Sequence, residues 1–367
     1  MKKILHLISG LDSGGAEKVL IDLVKNDKFN KHYIISFKDL GIYKNIIKSK
    51  KIRVYYFNLN KLNFFFKLPI IIKKIYLIKP DISVTWMYYA DFIGGLICKL
   101  LKIKKIYWNI RNSTLEKDKT KILTYFIFKI CAKLSHYIPN KILSCSQNAI
   151  DVHLLNGYKK NFYLIPNGID TNKFKNFNLK KKKEDLITIG YAGRWHPQKN
   201  YNFFFESLSY LKFKMNFRKF KVIIVGEFMN LKNIELCNLI KKFKLEDNIN
   251  LLDEIDNMEN YYNSIDINIL TSSYGEAFPN VIAESMSCET PCMSSEIGDV
   301  KKIIGNYGWI IKQNDKIKFC KNIIFINKMK KFFPKKWANL KKNSRKRIVK
   351  YFSLNQMIKN YNKIFIN

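Results

Sequence analysis

The chain is short of acid: 29 Asp and Glu stand against 66 Lys and Arg in 367 residues, a formal net charge of +37. A field that positive favours anionic partners such as nucleic acid, an anionic membrane or a phosphorylated small molecule. Abundant Lys, Asn and Ile are also what A/T-rich codon usage produces, so charge alone does not choose among them. Cysteine is equally uninformative as a scaffold. Seven are scattered from Cys98 to Cys320 with no CxxC pair and only five His in the chain. That excludes zinc-finger spacing and a disulfide framework, and makes a reducing cytoplasm the expected home. No apolar run reaches the ~20 residues of a spanning helix; Leu68–Ile78 is broken by Lys73 and Lys74. The opening Met1-Lys2-Lys3 and Ile4–Ile8 imitate a signal peptide, but Ser9-Gly10-Leu11-Asp12 ends the run too early, and it reads as a buried first strand. There is no internal repeat, no GxGxxG and no Asp-x-Asp; Asp266-Ile267-Asn268 comes nearest to the last.

What is present is enough apolar material for sizeable cores. With 47% hydrophobic and 14% aromatic residues, disorder is excluded. At roughly 100–200 residues per domain the length implies two. Short apolar runs alternate with amphipathic stretches, the pattern of parallel sheets with crossover helices. Strands are expected at Lys3–Ser9, Tyr33–Phe37, Arg53–Phe57, Ile82–Trp86, Ile106–Ile110, Lys141–Cys145 and Phe162–Ile165, with helices at Ala16–Lys25, Phe64–Ile78, Asp91–Leu101 and Thr120–Ser135. A hydrophilic tract from Lys173 to Asp185 reads as a linker. A second series follows, with strands near Ile187–Ala192, Lys221–Val225, Ile249–Leu252, Ile267–Leu270 and Thr290–Met293. Its helices are Tyr201–Lys212, Leu231–Phe243, Met258–Asn263, Pro279–Met286 and Val300–Ile304. The basic tail Trp337–Phe365 reads as helical packing. In α/β units of this kind ligands bind at the carboxyl ends of the strands.

Three segments at such ends carry chemistry. Gly14 and Gly15 open a helix after the first strand, where free N–H groups favour an anion; a tight turn in which Glu17 complements the helix dipole reads the same residues without a ligand. In Gly193-Arg194-Trp195-His196-Pro197-Gln198-Lys199-Asn200, Arg194 offers a planar fork for a diphosphate and Lys199 a mobile point charge. His196, next to Pro197, reads as a turn residue. In Glu276-Ala277-Phe278-Pro279-Asn280-Val281-Ile282-Ala283-Glu284, Pro279 suits the first turn of a helix. Glu276 then lies in the loop before it and Glu284 inside it, within reach of ligand hydroxyls; read without a ligand, Glu276 merely favours the helix dipole and Glu284 is a surface residue.

Taken together, Gly14-Gly15-Ala16-Glu17, Asn167-Gly168-Ile169-Asp170, Gly193-Arg194…Lys199-Asn200 and Glu276-x7-Glu284, in this order, resemble retaining GT-B glycosyltransferases of the glycosyl transferases group 1 type, family 4. The resemblance spans Lys3 to about Asp299. It implies two facing Rossmann-like domains: residues 1–170, with a return helix in 350–367 (Tyr351–Phe365), binding acceptor, and residues 171–349 binding a nucleotide-sugar donor. It implies that Arg194 and Lys199 bind the donor diphosphate and that Glu276 contacts sugar hydroxyls. Phe278, Asn280 and Val281 would add loop contacts, Glu284 would bind the ribose, and Gly14 and Gly15 would lie near donor phosphate or acceptor. No metal or resident cofactor is implied. The implied reaction moves a hexose or N-acetylhexosamine, with retention, from a UDP- or GDP-sugar to a growing lipopolysaccharide, capsular or lipid-linked glycan. The chain departs from the pattern in three places. Asn109-Ile110-Arg111-Asn112-Ser113 lacks the family's His, and Arg111 is the cation that stands in its place, or else a plain turn residue. Gly226-Glu227-Phe228 lacks a second glycine. Phe278-Pro279 replaces the commoner Phe-Gly, and Pro279 removes an N–H donor.

Basic residues interleave with large apolar ones in Lys61–Tyr76 and Lys121–Lys133, a pattern that suits an anionic membrane surface, so a cytoplasmic enzyme peripheral to the membrane is expected. The plain alternative buries those aromatics and solvates the lysines. Two rival functions are a nucleotide-sugar epimerase on the same architecture and a basic nucleic-acid-binding protein. The second lacks any RNP, zinc-finger or helix-turn-helix signature, so no nucleic acid is expected as a partner.

Overall fold

The computed structural model describes residues 1–12, 14–49, 52–60, 62–113, 120–177 and 186–366. They form two compact units, Met1–Gly168 with Leu354–Asn367, and Ile169–Ser353. In the first, the order is β1 (Lys3–Ile8), α1 (Gly15–Asn26), β2 (Lys31–Ser36), α2 (Lys44–Ser49), β3 (Arg53–Tyr56), α3 (Phe64–Ile78), β4 (Ile82–Trp86), α4 (Tyr88–Leu100), β5 (Lys105–Ile110), α5 (Ile122–Leu134), β6 (Lys141–Ser144), α6 (Gln147–Leu155) and β7 (Phe162–Leu164). The strands pair in the order β3-β2-β1-β4-β5-β6-β7, all parallel. Because side chains alternate across a strand, Leu5 and Leu7 join α3, α4 and α5 in one core. Ile4 and Ile8 join α1 in another. Helices on both faces are why these strands read as continuous apolar runs.

The second unit runs β8 (Ile187–Ala192), α7 (Tyr201–Phe213), β9 (Phe220–Val225), α8 (Ile234–Lys242), β10 (Ile249–Leu252), α9 (Met258–Ser264), β11 (Ile267–Leu270), α10 (Asn280–Ser287), β12 (Cys292–Ser295), α11 (Val300–Ile304), β13 (Trp309–Ile311), α12 (Lys316–Phe332) and α13 (Pro334–Phe352). Its sheet order is β10-β9-β8-β11-β12-β13, again all parallel. The order reverses between β8 and β11, and the loops after those two strands therefore open side by side.

Several expectations are corrected. The expected helix Tyr351–Phe365 is interrupted: α13 ends at Phe352, and Ser353 is extended and bridges Ile169. A further helix, α14 (Leu354–Ile366), then packs its Leu354, Met357, Ile358, Tyr361, Ile364 and Phe365 into the first unit's core with β1 and α1. Residues 173–177 are not a solvated linker, because Phe174 is buried and Asn176 and Phe177 bond Glu289 and Asn263. The rest of that tract, 178–185, lies outside the described residues. Pro279 caps α10 instead of entering its first turn, because its ψ of 103° is extended. The strand expected at Thr290–Met293 begins two residues later, at Cys292.

Beneath α14 lies a buried polar relay. The Trp86 indole N–H donates to His6 Nδ1 at 3.2 Å, His6 Nε2 faces His32 Nδ1 at 2.8 Å, and His32 Nε2 reaches Asp27 Oδ2 at 3.0 Å. With Trp86 able only to donate, one proton per ring satisfies each contact, so both imidazoles fit as neutral donors toward Asp27. Burial, then the neighbouring His32, holds His6 well below the usual histidine range. Burial pushes Asp27 up, but hydrogen bonds from His32, Asn30, the Phe29 amide and Asn362 outweigh it and hold the carboxyl at about 2. A lowered carboxyl pKa stabilises the fold above the ordinary value of 3.8 and loses that contribution as pH falls through about 2. The shift corresponds to about 2 kcal/mol. In urea unfolding of the first unit's transition, Asp27→Asn is expected to cost that amount near neutrality, with the gap to wild type narrowing below pH ~4. A pH-independent gap would rule the linkage out.

Candidate active site

The β8/β11 reversal is where the second unit's chemistry collects. After β8, Gly193–His196 leads into a short 3-10 turn, Pro197–Lys199, which His196 caps by accepting the Gln198 N–H at 3.2 Å. Burial, then the cations Arg194 and Lys199, lowers the His196 pKa, consistent with a neutral cap. Asn200, at a left-handed φ of 54°, turns the chain into α7. Three hydroxyls fix this loop. Tyr191 OH donates to the Lys199 carbonyl at 2.6 Å, Thr271 Oγ1 donates to the same carbonyl at 3.0 Å, and Tyr201 OH donates to the Gly193 carbonyl at 2.6 Å.

The loop after β11 comes to meet it. Ser273 N–H donates to the Gln198 carbonyl at 2.9 Å, and Lys199 Nζ lies 2.6 Å from Glu276 Oε1. Both side chains of that pair are only 13% exposed. Ser272 Oγ donates to the same carboxylate oxygen at 3.0 Å, and Gln198 Nε2 approaches it at 3.4 Å. Residues 77 positions apart thus converge on one oxygen. Gly298 lies directly beneath: its φ is +49°, and a Cβ there would stand 2.0 Å from the Glu276 carbonyl, so no side chain is tolerated under the loop. Arg194 is exposed on the same loop as Lys199.

The other expected residues are placed less uniformly. Asn280 is the first residue of α10, and the Val281 carbonyl accepts from Asn268 Nδ2 at 3.3 Å. Glu284 is no surface residue: it is buried, and Tyr262 OH donates to its Oε2 at 3.0 Å. The Phe278 ring is turned inward against Phe352, with centroids 5.5 Å apart, so this residue offers a ligand its backbone and not its ring. Phe228 occupies a left-handed φ of 63° where glycine is usual, and remains exposed. It helps to line a cavity of about 650 Å³ at the carboxyl ends of β8, β9 and β10, together with Trp195, Glu227, Asn230, Asp253 and Glu254. The composition of the sequence gave no signal for this cavity, because its lining comes from three separate loops.

In the first unit, Gly14 caps α1 and Glu17 folds its carboxylate back over it, 2.1 Å from where a Cβ on Gly14 would stand. Burial raises the pKa of that carboxyl. The start of α1, with Gly15 its first residue, therefore already carries an acidic partner. Arg111 is engaged within its own unit. Its guanidinium donates to Asn167 Oδ1 at 2.5 Å and to Tyr361 OH, and stacks over Trp86 at 4.8 Å. Two of its five N–H donors are thereby engaged, tying the turn after β5 to Asn167 and to α14.

A family model described as glycosyl transferases group 1 matches residues 172–347. The capsular polysaccharide biosynthesis glycosyltransferase CapH of Staphylococcus aureus is 24% identical over 312 residues, covering 83% of this chain and 84% of its own. The putative glycosyltransferase EpsF of Bacillus subtilis (strain 168) is 22% identical over 323 residues, covering 80% and 79%. The crystal structure of Anabaena Alr3699/HepE in complex with UDP-glucose superposes with a TM-score of 0.83 at 18% identity, covering 100% of this chain and 99% of that one. Two parallel-sheet Rossmann-like units with interleaved helices match that fold.

Proposed function

Because this chain carries a glycosyl transferases group 1 domain over residues 172–347 and has the GT-B fold, we propose that it is a retaining, metal-independent glycosyltransferase. It would move a hexose or N-acetylhexosamine from a nucleoside-diphosphate sugar to a growing surface glycan. The observation that carries the reading is the Lys199–Glu276 pair at the β8/β11 reversal. Breaking the bond between sugar C1 and phosphate leaves charge on the diphosphate, and a preorganised cation in a water-poor site is the largest single term in stabilising it. Lys199 supplies that cation, and Arg194 on the same loop supplies a planar fork for the phosphates. Glu276 holds Lys199 in place and is the acceptor for sugar hydroxyls. The acceptor hydroxyl forms the new C1–O bond on the face from which the phosphate leaves, and its proton passes to the departing phosphate oxygen. The nucleoside is assigned to the cavity beside Trp195, and Glu284, anchored by Tyr262, to the ribose.

CapH, a capsular polysaccharide glycosyltransferase, supports a surface glycan as acceptor, and the UDP and UDP-glucose complexes of HepE make uridine donors the first to try. The test is a thermal-shift screen of UDP-glucose, UDP-galactose, UDP-N-acetylglucosamine and GDP-mannose. A donor at ~100 times its Kd stabilises by about 2.7 kcal/mol, roughly 5–10 °C for a unit of this size. Donor hydrolysis is expected to continue in EDTA, and the product to keep the donor's anomeric configuration. Absence of any shift, or activity that EDTA abolishes and magnesium restores, would refute the respective part of the proposal.

A further inference from the structure

One side of the first unit carries a surface that the transferase reading does not use. Helices α3, α4 and α5 all bury their inner faces on the same side of the sheet, with Ile71, Ile75, Ile97, Cys98, Phe128 and Cys131 in a single core. Their outer faces therefore share one side of that unit. An outer face should be polar, and α3 breaks the rule: Phe65, Phe66, Ile70 and Leu77 are 78%, 80%, 56% and 62% exposed. On α5, Ile122 and Phe126 are 78% and 62% exposed. Lysines stand among them, with Lys73, Lys99, Lys121, Lys129 and Lys133 all exposed. Acid is absent from the same stretches: none occurs from Lys61 to Pro80 or from Lys119 to Ile150. In the three helices the sole acid is Asp91, which is buried, with Thr85 Oγ1 donating to it at 2.5 Å. Burial raises its carboxyl well above the usual range.

We infer that this face docks the protein on an anionic lipid bilayer, with the α3 and α5 aromatic and aliphatic side chains entering the acyl boundary and the lysines meeting lipid phosphates. Apolar side chains ringed by cations with no counter-charge suit that partner on both counts. A second copy of this chain is disfavoured by charge, since the face would meet another of the same sign on a +37 molecule. Nucleic acid would satisfy the lysines but leave an aliphatic surface in water.

The test is co-sedimentation of the full chain with phosphatidylcholine vesicles containing about 30 mol% phosphatidylglycerol, and with vesicles lacking it. Binding is expected to the anionic vesicles at ~50 mM salt and to weaken at least ~10-fold at ~500 mM. The combined variant Phe65→Ser, Phe66→Ser, Phe126→Ser is expected to lose at least ~30-fold in partitioning while keeping its melting profile, since these side chains are exposed in the fold. Lys73→Glu with Lys129→Glu, which leaves the apolar surface intact, is expected to abolish the preference for phosphatidylglycerol. Failure of the wild type to bind anionic vesicles at low salt overturns the inference. So does binding that survives both variants, or a concentration-dependent dimer that the Phe variant dissolves in place of vesicle binding. The readout is lipid binding and not turnover, so its outcome is separate from that of the donor screen.

Discussion

Glu276→Gln and Lys199→Ala are each expected to lower kcat/KM by at least ~100-fold, the scale of losing one preorganised electrostatic contact to a transition state. The two side chains share a 2.6 Å contact at 13% exposure, so neither acts alone. Gln at 276 keeps the volume and the partners Ser272 and Gln198 but withdraws the charge that holds the ammonium. Ala at 199 removes the cation and leaves a nearly buried carboxylate without that counter-charge, which also lowers stability by about 1–3 kcal/mol. Because the residues work as a unit, the double variant is expected to lose little more than the worse single one. Steady-state assays on all three variants, with melting curves to separate folding from catalysis, decide the matter. Wild-type turnover in both single variants would remove the pair from the mechanism, and strictly additive losses would mean that the contact is incidental.

The second large effect concerns α14. Ending the chain at Ser353 removes six buried side chains, Leu354, Met357, Ile358, Tyr361, Ile364 and Phe365, from the first unit's core. At 1.5–3 kcal/mol each, that is roughly 9–18 kcal/mol, as large as the whole stability of an ordinary domain. It also strips Asn362 from Asp27 and Tyr361 from Asn109 and Arg111. The truncated chain is expected to lose the first unit's cooperative unfolding transition while the second unit's persists. Limited proteolysis followed by mass spectrometry would locate the damage. Retention of both transitions would mean that the helix is an ornament to that core.

How much of this was legible in the residues depended on how local each signal was. Strands buried on both faces announce themselves as apolar runs, and β4, β8 and β11 begin and end where such runs do. The limits of α3 were equally plain. Elements without that contrast were missed. Helix α6 buries a histidine, and its start signal, Ser146 accepting the Ala149 N–H at 3.0 Å, is a single capping serine. Helix α12 is so rich in lysine that its buried stripe of Phe319, Cys320 and Ile323 is diluted. Strand β13 is three residues long. At the site, the loop positions and residue types of Lys199 and Glu276 could be read, but not their pairing, because the adjacency of β8 and β11 is a property of the sheet order. For Arg111 the hidden part is likewise remote: Tyr361, which anchors its guanidinium to α14, lies 250 residues later.

That separation also has a consequence in time. A growing chain has all of the second unit, 169–353, before it has α14, and the first unit, though translated earliest, waits about 199 residues past Gly168 for its closing helix. At ~5–20 residues per second the delay is roughly 10–40 s. Through that interval the core residues that will pack against Tyr361 and Phe365 lack their closing helix, and Asp27 lacks its bond from Asn362. The first half of this protein is thus the last to be finished, and its biogenesis is exposed to chaperone capture for longer than that of the second unit.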